Sequence, residues 1–358
     1  MANSAGVVHK YENARPGLRP RIPLSEHKRV LHEGKDVPDQ APAFQIDLTE
    51  VGISEKTVWV TLPQGMLPFN TEIYVDLPEH VRGIHMSRIE EAISQLYHKS
   101  FPDIRSYAYE LALLVLEKQR GECARVLVTG KAPLIRRTSV SQRTSVDAVD
   151  MSADVRASIK GGALFLKTII GMGVCHMTAC PCTQVYNQVL SEEVDAQLPT
   201  LTHSQRAETK LYLEVQGDHP AYEEILQCLE STLHVTQDLL KRPDEAEIVL
   251  KAHCYPQFAE DVVREVAKEV GKRFRGKLPD ATEVIVESLS LESIHTHNVR
   301  CMLQTTLKEI SEAVSAQARL DAGNPSYNNG PQATGSEFQK LKRINLQSVK
   351  TQGEVTHG

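Results

Sequence analysis

Gly171-Met-Gly-Val-Cys-His-Met-Thr-Ala-Cys-Pro-Cys-Thr-Gln184 is the stretch on which the reading of this chain turns. An apolar run, Leu164 to Ile170, leads into it. Together they predict a strand over Leu164–Val174, followed by three cysteines, Cys175, Cys180 and Cys182. Pro181 stiffens the backbone between the last two and keeps their sulfurs close in a short turn. A Cys-Pro-Cys after a strand suits a thiolate aimed at a metal or a substrate atom better than it suits plain packing. Its spacing is not the C-x-x-C of zinc ribbons or thioredoxin-type sites. One cysteine ligand in a mixed sulfur, nitrogen and oxygen set fits it better, with the second thiol free for another task.

Outward from this stretch, one order of elements occurs twice. In the first half, Lys56–Leu62 and Glu72–Leu77 alternate and are β-branched, as strands are. Ile89, Ala92, Ile93, Leu96 and Tyr97 form a helical stripe with Ser87 as its expected N-cap. Ile104, Tyr107, Ala108, Leu111, Leu114 and Val115 give a second helix, and strands return at Cys123–Thr129 and near Ser145–Met151. In the second half, Leu164–Val174 and Glu208–Gln216 read as strands, and Tyr222–Leu233 and Phe258–Val270 as helices. Ala281–Leu291 and Val299–Leu303 then read as strands, and an amphipathic helix carrying Leu307, Ile310 and Val314 follows. No long helix separates the strands within a pair, so the fold class is antiparallel α+β rather than doubly wound α/β. Two such units in one chain predict sheets that associate side by side and close into a barrel with neighbouring subunits.

The polar stretch 1–40, with Pro16, Pro20, Pro23 and Pro38, is expected to be an extended or mobile arm. The Gly-, Asn-, Ser- and Pro-rich run 321–358 is expected to be a disordered tail. Between them, 41–320 forms the bimodular body, with halves at 41–155 and 156–320.

With 358 residues, 41% hydrophobic and 24% charged, the chain has the composition of a globular protein with a real core. A net charge of −6 supplies no overall basic field, which excludes nucleic acid as the expected partner. No apolar run reaches the roughly 18 residues that cross a bilayer. The first residues lack a signal-peptide core, so the cytoplasm is the expected location. Seven cysteines, an odd count spread from Cys123 to Cys301, point to reduced thiols rather than a disulfide framework.

Several further residues have side chains that bear chemistry. His203 lies in Leu201-Thr-His-Ser-Gln-Arg206, a polar turn before a strand, with Arg206 either a surface charge or an anion contact. Leu239-Leu-Lys-Arg-Pro-Asp-Glu245 reads as a solvated loop, yet its leucines and proline can hold Glu245 as an oxygen ligand. Glu260, in the first turn of its helix, either compensates the helix dipole or grips the N–H groups of a heterocycle. His295 and His297 follow the strand Ala281–Leu291 and share a side if that strand continues. Metal ligation and acid–base work are both open to them. In the first half, His85 and Arg88 of Arg82-Gly-Ile-His-Met-Ser-Arg88 are placed to help hold an anion.

Assembled, these motifs resemble the type IB GTP cyclohydrolases, a prokaryotic family. The matching pieces are DVPDQ (Asp36–Gln40), IDLTEVGI (Ile46–Ile53), VDLPEHVRGIHMSR (Val75–Arg88), TACPCTQ (Thr178–Gln184), THSQR (Thr202–Arg206), LLKRPDE (Leu239–Glu245), FAEDVVRE (Phe258–Glu265) and ESIHTHN (Glu292–Asn298). The resemblance implies the bimodular tunnelling fold, assembled as a homotetramer. It also implies hydrolytic opening of the GTP imidazole ring, loss of C8 as formate and closure of a dihydropterin. By position it implies Cys180, His203 and Glu245 as ligands of one divalent metal (Fe2+, Zn2+ or Mn2+). Cys182 becomes the catalytic thiol, His295 the general acid/base with His297 as second candidate, and Glu260 the guanine anchor. Arg206, Lys241, Arg242, His85 and Arg88 become the cations for the triphosphate. Thr183-Gln184 replaces the Ser-Lys of many bacterial members, and the long Cys180–His203 gap is a second difference. Both look like the archaeal branch, whose product is a cyclic phosphate of dihydroneopterin. Two rival readings keep the same residues: a thiol-dependent tunnelling-fold enzyme on another purine or pterin, and a structural metal site in a binding protein.

Overall fold

A computed structural model describes residues 21–34, 36–190, 199–215, 217 and 219–323. Ahead of the sheet lies α1 (Leu24–Glu33), a helix with no buried residue. The arm expected to be extended or mobile is helical over Leu24–Glu33. Arg29 reaches both Glu26 and Glu33 along one face, and such local pairs support a helix without tertiary packing. Residues 1–20 and 35 of the expected arm, and 324–358 of the expected tail, lie outside the described residues.

The body is one antiparallel sheet. Its first unit runs β1 (Leu48–Leu62), β2 (Gly65–Leu77), α2 (Met86–Leu96), α3 (Ile104–Lys118), β3 (Cys123–Arg137) and β4 (Thr144–Lys160). Its second runs β5 (Ala163–Ala179), α4 (Pro181–Leu190), β6 (Ser204–Glu214), α5 (Tyr222–Thr232), β7 (His234–Val235), α6 (Arg242–Cys254), α7 (Ala259–Phe274), β8 (Glu283–Leu291), β9 (Val299–Thr306) and α8 (Leu307–Gly323). The strands lie in the order β1-β2-β3-β4-β5-β6-β8-β9, with β7 attached to β5. The doubled α+β order read from the sequence is thus present, and both units share one continuous sheet. They meet at the turn Gly161-Gly162, whose φ values of 57° and 80° suit glycine. The junction therefore falls after β4, a few residues beyond the expected boundary near 155.

Alternation explains why one face carries the helices. In β3, Ala124, Val126 and Val128 are buried, while Ile135, on the other face, is 70% exposed. Ile89, Ala92 and Leu96 of α2, Tyr107, Leu111 and Val115 of α3, and Val262, Val266 and Val270 of α7 complete one core against those strands. Asp103 caps α3 by accepting from the Ser106 N–H at 2.7 Å. Ser87, expected to cap α2, lies inside its first turn, and His85 holds the N-cap position. The opposite sheet face carries no helix among the described residues and leaves Trp59, Ile135, Val146 and Met302 exposed.

The core face also changes character along its length. Ile170, Met172 and Val174 of β5 give way to buried His176 and Thr178 as the strand approaches Cys180. Thr209 on β6 and Ser288 and Ser290 on β8 continue this polar zone across the sheet. His176 Nε2 lies 2.7 Å from Thr209 Oγ1, which donates to Ser288 Oγ at 2.9 Å. Burial pushes the His176 pKa down to about 4.

Candidate active site

The polar zone ends at the Cys180–His203 pair. The β5–β6 ladder closes on Ala179 opposite Ser204, and the next backbone bond runs from Cys180 N–H to the His203 carbonyl at 3.0 Å. Cys180 and His203 are therefore cross-strand neighbours, and directly opposed residues project on one face with Cβ atoms about 5 Å apart. The Thr202 hydroxyl donates to the Cys180 carbonyl at 2.7 Å and fixes the same corner. Pro181 opens α4, as proline favours the first helical position, so the Cys-Pro-Cys is a helix start rather than a free turn. Cys182 is exposed in the first turn of that helix.

Three other segments reach this end of the sheet. The loop between β8 and β9 brings Ser293 Oγ to 3.4 Å from His203 Nδ1. In the same loop His295 and His297 are exposed and stack with ring centroids 5.3 Å apart. The strand expected to continue through them stops at Leu291, yet the two rings still share a side. The segment before α7 is tied in by the Gln257 N–H, which donates to the Ala179 carbonyl at 3.1 Å. That bond brings the start of α7, with Glu260 exposed in its first turn, beside the strand end. Finally Gln184 of α4 donates to the His253 carbonyl, in the last turn of α6, at 2.8 Å.

Glu245 is placed differently. The stretch read as a loop is the start of α6, and Glu245 lies exposed in its first turn. The donor atoms of Cys180, His203 and Glu245 do not gather into one cluster in the single chain. Among the described residues, the group whose donor atoms lie within 4.8 Å of one another is Asp36, Asp39 and His85. The physical reason is that Cys180 and His203 are locked by a strand ladder, whereas Glu245 rides on a helix anchored elsewhere.

That anchor is Asp244, a residue the sequence reading passed over. It is 1% exposed and accepts from Val140 N–H and Ser141 N–H, both at 2.9 Å, and from Ser141 Oγ at 2.5 Å. The Lys241 N–H adds a bond at 3.1 Å. Burial raises the Asp244 pKa, but these bonds outweigh it and hold the carboxyl well below the usual range. Its only advance signal was an acid two residues after Arg242 in a Pro-started helix, an arrangement common to many solvated helix starts. Lys241 and Arg242 stay exposed beside it, with no carboxylate partner for either side chain among the described residues.

Three expected cations are not brought to Cys180. Arg206 alternates with Gln205 and Ala207 on β6, so it projects onto the uncovered face, away from His203. His85 and Arg88 follow β2, and because strands alternate in direction, β2 and β5 end at opposite ends of the sheet. There His85, 9% exposed, has Asp39 at 3.2 Å and Asp36 at 3.7 Å. Two carboxylates around an imidazole favour a cation, not the anion expected from sequence. The hydrogen bond from His85, with Arg120 assisting, holds the Asp39 carboxyl below its ordinary value. Arg82 N–H also donates to the Pro38 and Gln40 carbonyls at 3.0 and 2.9 Å, so this group clasps Asp36–Gln40 to the body. Arg88 donates to the Lys118 carbonyl at 3.3 Å.

The donor chemistry at the other end fits a divalent ion at two positions. Cys180 is a half-buried free thiol, and His203 has Nδ1 facing Gln205 Oε1 at 3.1 Å. A ring nitrogen held in this way leaves the other to bind metal.

The chain is thus a doubled α+β unit that carries Cys180 and His203 as neighbours at one sheet end. Residues 35–301 match the family described as Type I GTP cyclohydrolase folE2. Among curated relatives, the GTP cyclohydrolase MptA of Methanoregula boonei is 32% identical over 306 residues, covering 78% of this chain and 94% of that protein. The MptA of Methanoculleus marisnigri is 30% identical, covering 77% and 96%. Among solved structures, a uricase from Bacillus fastidious aligns at a TM-score of 0.45 and 8% identity, covering 74% of this chain and 96% of that one. The chain belongs to the type I GTP cyclohydrolase family, whose members serve pterin biosynthesis. The relatives named here are archaeal, in line with the branch indicated by Thr183-Gln184.

Proposed function

We propose that this chain is a metal-dependent hydrolase of cyclic amidines that opens the imidazole ring of GTP and releases C8 as formate. The product is 7,8-dihydroneopterin triphosphate or its 2',3'-cyclic phosphate. The observation that carries the reading is the cross-strand pairing of Cys180 and His203 at the sheet end where the His295–His297 loop and the start of α7 converge.

In this reading Cys180 and His203 hold one divalent ion, Fe2+, Zn2+ or Mn2+, and Glu245 is the carboxylate that the family resemblance adds. When bound, the ion supplies Lewis acidity for attack on C8. His295 delivers a proton to the imidazole nitrogen as the ring opens, with its stacked neighbour His297 limiting the orientations it can take. Cys182, exposed at the start of α4, is the second thiol within the site. Glu260 accepts from the N1–H and 2-amino group of guanine, and adenine, which lacks that donor pair, is rejected. Lys241 and Arg242 meet the triphosphate. His85 and Arg88, at the far end of the sheet, are left out of this chain's own site.

The uncovered sheet face and the open edges of β1 and β9 support an oligomer. Edge strands with no further strand beside them among the described residues, and exposed Trp59 and Ile135, are covered when copies close into a barrel, with a tetramer the family's expected state.

The test is anaerobic incubation with GTP, with and without chelator and added Fe(II), Mn(II) or Zn(II), followed by oxidation and pterin fluorescence. Pterin that disappears with chelator and returns with metal is the expected result. Activity that survives chelation would favour the thiol nucleophile, and no pterin with any metal would remove the reading. Mass spectrometry of the product separates triphosphate from cyclic phosphate.

A further inference from the structure

A hydrogen-bond relay behind His203 fixes more than its position. Gln205 Oε1 lies 3.1 Å from His203 Nδ1, and the Gln205 amide nitrogen lies 3.4 Å from both Glu292 Oε1 and Ser290 Oγ. Ser290 Oγ donates to Glu292 Oε1 at 2.8 Å. These residues share the core face of β6 and β8, where Gln205 stands one position before the Arg206–Leu291 pair and Glu292 one after it.

The chemistry of these groups leaves one consistent arrangement. An ionised carboxylate only accepts, so the Gln205 amino group faces Glu292 and its carbonyl faces the imidazole. A carbonyl also only accepts, so Nδ1 of a neutral His203 carries the proton toward Gln205 at 3.1 Å, and the Ser293 hydroxyl, 3.4 Å from the same nitrogen, is an acceptor there rather than a donor. Nε2 is then a lone-pair nitrogen, and it has no polar partner among the described residues. We propose that Glu292, acting through Gln205, holds His203 in its Nδ1–H tautomer and so presents Nε2 as the ligating atom for a divalent cation. Gln205 and Glu292 are positioning residues. The inference rests on the reading of His203 as a metal ligand, but the tautomer itself exists without metal or substrate. Neither residue stood out in the sequence, where Gln205 is one polar residue among several in a turn-like run and Glu292 one acid after a strand.

The test is histidine-selective 15N NMR of the full chain, metal-free and above the titration range of histidine, with the His203 signal assigned by its loss in His203→Asn. A protonated Nδ1 and an unprotonated Nε2 are expected. Gln205→Leu is expected to mix the two tautomers. Glu292→Gln can donate where the carboxylate could not; it lets the Gln205 amide reverse and is expected to raise the Nε2–H form. In chelator competition with Zn(II), Gln205→Leu is expected to bind roughly 10- to 100-fold more weakly, as such outer partners usually contribute. A wild-type Nε2–H tautomer overturns the proposal, as does a Gln205→Leu protein with unchanged tautomer and affinity. Loss of pterin formation with the relay intact would instead remove the cyclohydrolase reading and leave the tautomer assignment standing.

Discussion

At the scale of single residues, the proposed chemistry calls for exposed groups that meet a substrate, and the fold behind the site calls for groups that stay inert. His295 is exposed in a loop, free to meet a substrate, while His176 is completely buried behind the site. His295→Ala is expected to lower kcat by roughly 10²- to 10⁴-fold, the usual worth of a positioned acid–base group, with a smaller loss for His297→Ala. Equal losses in the two variants would make the stacked pair one functional unit. His176 acts on stability instead. Its pKa is depressed to about 4, so the folded chain keeps it neutral where the unfolded chain protonates it. Its stabilising contribution is whole above about pH 6.5 and is lost as pH falls toward 4, at a slope near 1.4 kcal/mol per pH unit. Urea unfolding at pH 7 and pH 5 should show wild type losing about 2 kcal/mol more than His176→Gln. Parallel losses in both proteins would assign the acid sensitivity to other groups.

At the scale of elements, α6 is held unlike its neighbours. α7 buries Val262, Val266 and Val270 along one stripe, whereas α6 buries only Asp244 and Ala252. Polar bonds pin it at both ends: Asp244 to the hairpin turn at Val140 and Ser141, and the His253 carbonyl to Gln184. The approach to α6 is tied in the same manner. Asp238 N–H donates to Asp147 at 2.8 Å and Leu239 N–H to Ser145 Oγ at 3.1 Å. A helix held by a few polar bonds opens locally more easily than one held by an apolar stripe. Asp244→Ala should therefore speed hydrogen exchange in both α6 and residues 138–143, lower Tm and raise KM for GTP through Lys241 and Arg242. Because the Asp244 pKa is lowered in the fold, its contribution is present above the ordinary carboxylate value and fades as pH falls below about 4. Exchange confined to α6 alone would show that the hairpin does not depend on the latch.

For the whole molecule, the sheet face that carries no helix among the described residues is the feature a single chain leaves unsatisfied. Trp59→Asp, on that face, should shift the assembly toward smaller species by light scattering and lower activity with it. An unchanged mass would move the interface elsewhere. Chelation should remove activity without dispersing the assembly, since the Cys180–His203 corner is built on strands β5 and β6 rather than on the metal.

Much of this was legible in the amino-acid order. Alternation in Lys56–Leu62 and Glu72–Leu77, and the helical stripes of α2, α3 and α7, follow from periodicity, because a half-buried strand or helix must repeat its apolar residues at its own pitch. α6 was not legible, since a helix fastened by end contacts has no stripe to read, and α1 was missed because its stabilising ion pairs are local and solvent-exposed.

The sequence by itself determined the doubled α+β order, the family motifs and the residue types available for catalysis, all of which depend on near neighbours in the chain. Tertiary structure alone decided which of those residues meet. It paired Cys180 with His203, turned Arg206 to the other face and placed His85 between two carboxylates at the far end. Such meetings depend on strand register and direction, set by contacts many residues apart, and a one-residue shift in the register of β5 or β6 would send Cys180, His203 or Arg206 to the opposite face.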